Sequence, residues 1–429
     1  MIDQERFLNV LRTAGVEFFT GVPDSYLNGF CNCLMKNVAA ERHMIAANEG
    51  NAVGIAAGYY FSTDTVPLVY MQNSGLGNAL NPLLSLVDKN VYSVPMILLI
   101  GWRGEPGSGD WPQHQTQGEV TLKILDMLGI PYVIAQDEDD SLEEQVRECV
   151  ENAKREKRPA AIVGRNGVFA GGKKPNITDT EYPLYREEAI EIILDTLPEN
   201  TIYTATTGRA SRELYFLRER RKEGHQNDFL NVGSMGHASS VALGIAAANK
   251  KRLVVCLDGD AAAMMHMGAF TMASKTDVPN LLHIILNNGA HESVGGQPSA
   301  GYRVDFTKIA QGSGYKTVEG PVGSREALRE VLGILKHGQQ AALIDVRIRK
   351  GLKGELPALK ISHEKLIREL MDELSKGSTP PKMTSSTFSG ATLARLRASF
   401  TTTAPISTAG VSFRLPPKEP TAVRQQFTM

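Results

Sequence analysis

Short apolar runs alternating with helix-length patterns, twice over, constrain this chain more than any other feature. The runs are "VPLVYM", "PMILLIG" and "AAIVG", then "TIYTA", "RLVVCL", "LLHIIL" and "ALIDVRI", each bounded by turn residues. They are rich in branched residues and do not alternate with polar ones, as strands covered on both faces should be. Helical patterns such as "GNAVGIAAGYYF" and "HASSVALGIAAANK" lie between them. That order calls for an α/β fold in which parallel strands are joined by crossover helices. The glycine- and proline-rich stretch "GVFAGGKKPNITDTEYPLY" divides the pattern into halves of similar size. Two domains are therefore expected, 1–170 and 181–376, each a parallel sheet flanked by helices, with 171–180 as linker. The helix at "ISHEKLIRELMDELS" should close the second. From 377 to 429 the chain is dense in Ser, Thr and Pro. Such a segment buries too little apolar surface to offset its ordering and is expected to stay disordered.

Composition excludes several function classes. At roughly 150 residues per domain, a chain of 429 residues has room for two or three real cores. A net charge of −1 gives no footprint for nucleic acid, and no apolar run nears the roughly 20 residues that span a bilayer. The opening "MIDQERFLNVLRTAGVEFF" mixes acids into an amphipathic pattern, unlike a signal peptide. Cys31, Cys33, Cys149 and Cys256 have neither a disulfide nor a zinc arrangement. A reduced, cytoplasmic protein is expected. No G-x-G-x-x-G follows a first strand, which argues against a dinucleotide-binding enzyme.

The stretch "LDGDAAAMMHMGAF" places Asp258 and Asp260 where a strand gives way to a helix. A carboxylate there is ordinarily a helix cap. The next strand, however, ends in two amides, Asn287 and Asn288, and adjacent parallel strands release their loops on one edge, where ligands bind. A carboxylate from one loop, with an amide oxygen and a backbone carbonyl from the next, forms an oxygen-rich half-cage. Mg²⁺ favours such ligands and completes its shell with diphosphate oxygens and water. The nearby helix amino terminus favours the same diphosphate.

Gly259-Asp260-Ala261, then 25 residues, then Asn287-Asn288, resembles the motif of thiamine diphosphate (ThDP) enzymes. The resemblance implies Asp260, the Asn288 side chain and the Ala290 carbonyl as metal ligands, with Asp258, before the motif, either behind those ligands or on the diphosphate side. The family's third glycine is Ala261 here, which matters only if that position needs positive φ or has no room for a methyl. "VGSMGHASSVALGIA" is similar to the segment lying against the middle of the cofactor. There the Gly233 carbonyl would meet the aminopyrimidine, beside Ser234, and Met235 would wedge between the two rings. "AANEGNAVGIAAGYY" resembles the segment carrying the family's glutamate, here Glu49. Its implied role is catalytic: a hydrogen bond to the pyrimidine that helps to remove the thiazolium proton.

"GVPDSYL", "YMQNSGLGNALNPLLSL", "GWRGEPGSGDWPQHQTQGEVT" and "NNGAHESVGGQPS" together look like the phosphonopyruvate decarboxylases, with the sulfopyruvate decarboxylases as runner-up. This resemblance covers about residues 1–375. It implies decarboxylation of a three-carbon 2-oxo acid with a second, tetrahedral anion. Such an anion calls for Arg, His and amide donors, and Arg103, His114, Gln115, Gln117 and His291 lie beside the motifs, as do Asp24 and Ser25. Trp111 departs from the family's "D-E-P-Q-H" run. A homodimer or larger homo-oligomer with active sites at the subunit interface is implied. A carboligase of the acetolactate synthase type is a further alternative. A degenerate, non-catalytic scaffold would have lost Glu49 or the metal motif, and both are present.

Overall fold

The structure, a computed structural model, describes residues 1–135, 141–169, 181–275, 278–337, 340–357, 359 and 361–377. The first sheet comprises β1 (Phe19–Gly21), β2 (His43–Ile45), β3 (Leu68–Gln72), β4 (Met96–Gly101), β5 (Tyr132–Ile134) and β6 (Pro159–Gly164). Its order is β2-β1-β3-β4-β6-β5, and every pairing is parallel. The second comprises β7 (Ile202–Ala205), β8 (Asp228–Leu230), β9 (Val254–Gly259), β10 (Leu281–Asn287), β13 (Thr317–Val322) and β14 (Ala342–Arg347). The order β13-β14-β10-β9-β7-β8 is again wholly parallel. A small hairpin, β11 (Ala290–His291) against β12 (Gln297–Pro298), follows β10.

The unbroken apolar runs have a direct physical cause. Along β4, Ile97 and Leu99 enter one core while Met96, Leu98 and Ile100 enter the core on the opposite face. In β9, Val255 and Leu257 point one way and Val254 and Cys256 the other. Side chains alternate between faces, and helices cover both, so every position must be apolar. The two sheets belong to one unit, Met1–Ser378. The expected linker 171–180 lies outside the described residues, and so does the expected disordered tail beyond Gly377. No helix among the described residues is long and apolar enough to cross a membrane.

This topology collects the candidate residues. Asp24 follows β1, Glu49 follows β2, Arg103 follows β4, Gly233 follows β8, Asp260 follows β9 and Asn288 follows β10. All therefore stand at carboxyl ends of parallel strands.

Candidate active site

Asp260 is the first residue of the helix Asp260–Met265, immediately after β9. Its carboxylate is buried and accepts hydrogen bonds from the Ser299 hydroxyl and the Asn288 backbone N–H. Burial pushes its pKa up to about 6, and those bonds together with Arg186 only partly oppose the shift. A side chain at Gly301 would overlap this carboxylate and Asn287. Ala261 lies within the helix and is not among the residues with positive φ, so its methyl conflicts with no backbone requirement.

The two asparagines do different work. Asn287 donates to the Gly301 carbonyl at 2.9 Å and to Asp345 Oδ1 at 3.2 Å, and its own oxygen accepts from Gly289 N at 3.2 Å. It holds the loop. Asn288 donates Nδ2 to Glu292 Oε2 at 2.9 Å, and its Oδ1 accepts from Ala290 N at 3.1 Å. Gly289 turns the chain between them at φ 63, where a side chain would strike the Tyr302 ring. Asp258 is not brought into this group. It is fully buried beneath the edge, where Oδ2 meets His283 Nε2 at 3.2 Å and Oδ1 accepts from Gly259 N at 3.0 Å.

Glu49 opens the helix Glu49–Thr63, but the cap is its neighbour: the Asn48 side chain accepts from Asn51 N at 2.9 Å. Glu49 is thereby released from capping. Its buried Oε2 accepts from Asn78 Nδ2 at 2.7 Å, and a side chain at Gly75 would overlap its carboxylate. Burial raises its pKa, opposed by the Asn78 bond. Asn48 Nδ2 also donates to the Met265 carbonyl at 3.1 Å, joining the Glu49 loop to the helix that begins at Asp260.

The Gly233-Ser234-Met235 loop is conformationally unusual. Ser234 has φ 44 and Gly236 has φ 87, and Gly233 N donates to Asn231 Oδ1 at 3.3 Å. Met235 is half-buried and belongs to no hydrophobic core among the described residues. Gln113 of the first half abuts Gly233, and both Gln113 Oε1 and His114 Nδ1 are buried without hydrogen-bond partners. Buried orphans of this kind are costly unless something binds them. Together with two buried carboxylates of raised pKa, they form a donor and acceptor set that fits ThDP with a divalent cation.

The substrate candidates are placed unequally. Arg103 is committed to Asp110 in a bidentate pair, with Nε to Oδ2 and Nη2 to Oδ1 both at 2.6 Å. Its Nη1 donates to Ser25 Oγ at 3.0 Å, and its guanidinium lies 4.7 Å from the Tyr26 ring centroid. Burial opposes ionisation of Asp110, but Arg103 and the N–H groups of Trp111 and Gly104 hold its pKa well below the usual carboxylate range. Asp24, fully buried beside this pair, is pushed up to about 6 by burial, with Arg103 pulling the other way. A cleft of about 520 Å³ opens here, lined by Tyr26, Arg103, Asp110, Trp111 and Asn166 among others. His114 is half-buried and bonded to Gln117, its pKa lowered by burial and then by Arg103. His291 is held down at about 4 by burial. Gln115 is exposed, and Trp111 is 47% exposed, so the departure at that position falls on the surface.

Several residues escaped sequence reasoning. Asp110 neutralises Arg103, Ser299 and Asn78 hold the two carboxylates, and Glu292 meets Arg186 and Arg209 in a buried cluster. Only Asp110 left a signal, as an acid in the same glycine-rich loop as Arg103.

Comparison with known proteins agrees with this geometry. Residues 4–127 match the N-terminal TPP binding domain of thiamine pyrophosphate enzymes, and residues 207–346 match the C-terminal TPP binding domain. Both parts of such an enzyme are present. The chain is 32% identical over 391 residues to a phosphonopyruvate decarboxylase of Streptomyces hygroscopicus, covering 87% of this chain and 94% of that protein. A phosphonopyruvate decarboxylase of Streptomyces viridochromogenes is 31% identical, covering 86% of this chain and 93% of its own length. A sulfopyruvate decarboxylase of Methanosarcina acetivorans is 26% identical, covering 86% and 97%. The chain belongs to the phosphonopyruvate decarboxylase family of thiamine pyrophosphate enzymes.

Proposed function

We propose that this chain, read as domains 1–170 and 181–376, decarboxylates 3-phosphonopyruvate to phosphonoacetaldehyde and CO₂ with ThDP and Mg²⁺, in active sites at the subunit interface of a homo-oligomer. The observation that carries the reading is the pair of buried carboxylates, Glu49 and Asp260, each at a strand edge of its own sheet, on elements joined by the Asn48–Met265 bond. Asp260, the Asn288 side chain and the Ala290 carbonyl hold the metal. The Gly233 carbonyl, Ser234 and Met235 seat the cofactor's middle. Glu49 keeps Oε2 bonded to Asn78 and leaves Oε1 to carry a proton, which its raised pKa favours. When bound, the cofactor supplies the electron sink for the departing CO₂. The chain's own residues orient the acid and exclude water. Because Asp110 neutralises Arg103, the second anion is met by a fixed, hydrogen-bonding loop with Ser25, His114 and Gln117 near it, and His291 is a further candidate donor.

A homodimer or larger homo-oligomer is supported by two helices. In Glu49–Thr63 and Ala238–Ala248 apolar residues run all round, and a side chain at Gly54, Gly58 or Gly244 would meet nothing within 4 Å. Phe61, 55% exposed, packs edge-on to Tyr92, 63% exposed. Such apolar surface calls for a partner. The four free, buried cysteines suit a cytoplasmic protein. Supplying the purified protein with ThDP, Mg²⁺ and each of phosphonopyruvate, sulfopyruvate and pyruvate tests the reading. CO₂ release should be fastest from phosphonopyruvate; a preference for sulfopyruvate would reassign the substrate.

A further inference from the structure

The metal-side loop contains a buried charge cluster for which neither the fold nor the reaction has yet given a use. Glu292 lies in the hairpin loop between β11 and β12, with a side chain only 3% exposed. Its Oε2 accepts from Asn288 Nδ2 at 2.9 Å and from Arg186 Nη2 at 2.8 Å. Its Oε1 pairs with Arg209 Nη1 at 3.1 Å and accepts from Gly351 N. Arg186 is fixed in turn by Glu213 Oε2 at 2.9 Å. Four donors from four separate segments thus hold one carboxylate.

The two ends of an asparagine amide differ chemically: the oxygen accepts or binds metal, whereas the NH₂ only donates. A carboxylate that faces a guanidinium at each oxygen stays ionised and can only accept. Whatever end of Asn288 meets Glu292 must therefore be Nδ2, and Oδ1 must point the other way. We infer that Glu292 is a positioning residue that dictates which end of the Asn288 amide faces the metal, while Arg186 and Arg209 hold Glu292 in place. The inference rests on the proposed role of Asn288 as a metal ligand. It deepens that role, because a ligand whose amide can flip presents its oxygen only part of the time, and partners of this kind tune metal affinity.

Isothermal titration of ThDP into the protein across a range of Mg²⁺ concentrations tests this without measuring turnover. In Glu292→Gln the new amide can offer its own NH₂ to Asn288, so only the Ala290 N–H is left to fix the sense of the Asn288 amide. The Mg²⁺ needed for half-maximal ThDP binding should rise about 10–100-fold. Adding Asn288→Asp to Glu292→Gln places oxygens at both ends of residue 288 and gives the glutamine NH₂ an acceptor. The double variant should regain most of the lost affinity, whereas Asn288→Asp alone, which sets two carboxylates face to face, should be worse than wild type. A role confined to holding the loop predicts the reverse, with the double variant no better than Glu292→Gln. Glu213→Gln, which loosens Arg186 but leaves both guanidiniums beside Glu292, should raise the Mg²⁺ requirement by less than Glu292→Gln does. If Glu292→Gln does not fold, Arg209→Gln decides, because Arg209 is 19% exposed and its loss frees only one side of Glu292. A several-fold higher Mg²⁺ requirement is then expected, and an unchanged one overturns the inference. A wild type that binds ThDP with Mg²⁺, together with a folded Glu292→Gln whose Mg²⁺ requirement lies within about twofold of it, overturns the inference alone. A wild type that takes up no ThDP overturns the proposed function and the inference together.

Discussion

Replacing Asp260 by Asn should stabilise the metal-free protein and abolish its Mg²⁺-dependent binding of ThDP. Asp260 is buried, and its pKa rises from 3.8 to about 6. A carboxyl group with a raised folded pKa contributes stability that is fully present below the unfolded value and is lost as pH rises through the folded one. A shift of about two units corresponds to about 3 kcal/mol once pH exceeds 6. At pH 7 without metal, the ionised Asp260 therefore costs about 3 kcal/mol; at pH 4 the same relation leaves only about 0.5 kcal/mol. Asn keeps an oxygen for Ser299 and carries no charge, so it removes that cost. Urea denaturation in EDTA at pH 7 and pH 4 reads the difference. Asp260→Asn should be the more stable by about 3 kcal/mol at pH 7, with the gap nearly closed at pH 4. Mg²⁺ with ThDP should restore the wild type and leave the variant unaffected. An apo wild type as stable as the variant at pH 7, or a gap independent of pH, would refute the reasoning.

Three further outcomes are expected. Glu49→Gln preserves an acceptor for Asn78 and the fit against Gly75, so ThDP affinity by titration should hold while CO₂ release falls about 10²–10⁴-fold; near-normal turnover would sink the assignment. Gly75→Ala pushes a methyl into the Glu49 carboxylate, and displacing a reacting group by about 1 Å should cost about 10²-fold in turnover with little change in Tm. Asp110→Ala leaves the half-buried Arg103 without its carboxylate but still bonded to Ser25, so urea denaturation should show a loss of about 1–3 kcal/mol. The Arg103→Ala/Asp110→Ala double variant should recover much of that loss; strictly additive losses would show that the pair is not a unit.

The sequence was most legible where burial on both faces left a continuous apolar run, as in β4, β9 and β10. It was least legible where strands are three residues long: β1, β2, β5 and β8 are too short for any period to register. The half-exposed β13, which contains Gly320-Pro321, was hidden by its turn-like composition. Glu49, Asp260 and Asn288 could be marked because each sits in a local motif beside a strand end. Their supports could not. Glu292 meets Arg186 across 106 residues, and Ser299 reaches Asp260 across 39. Neither distance leaves a periodic trace. Arg103 illustrates the same limit from the other side: its type and place suggested a donor for the second anion, and the folded loop shows the pairing with Asp110 at which a shared loop only hinted.

The most direct test of the central claim is the product formed from phosphonopyruvate with ThDP and Mg²⁺ supplied or withheld separately. Phosphonoacetaldehyde and CO₂ should appear in equal amounts only when both are present, and neither should appear with Asp260→Asn. Product formed without added ThDP by cofactor-stripped protein, or no product when both are supplied, would contradict the account.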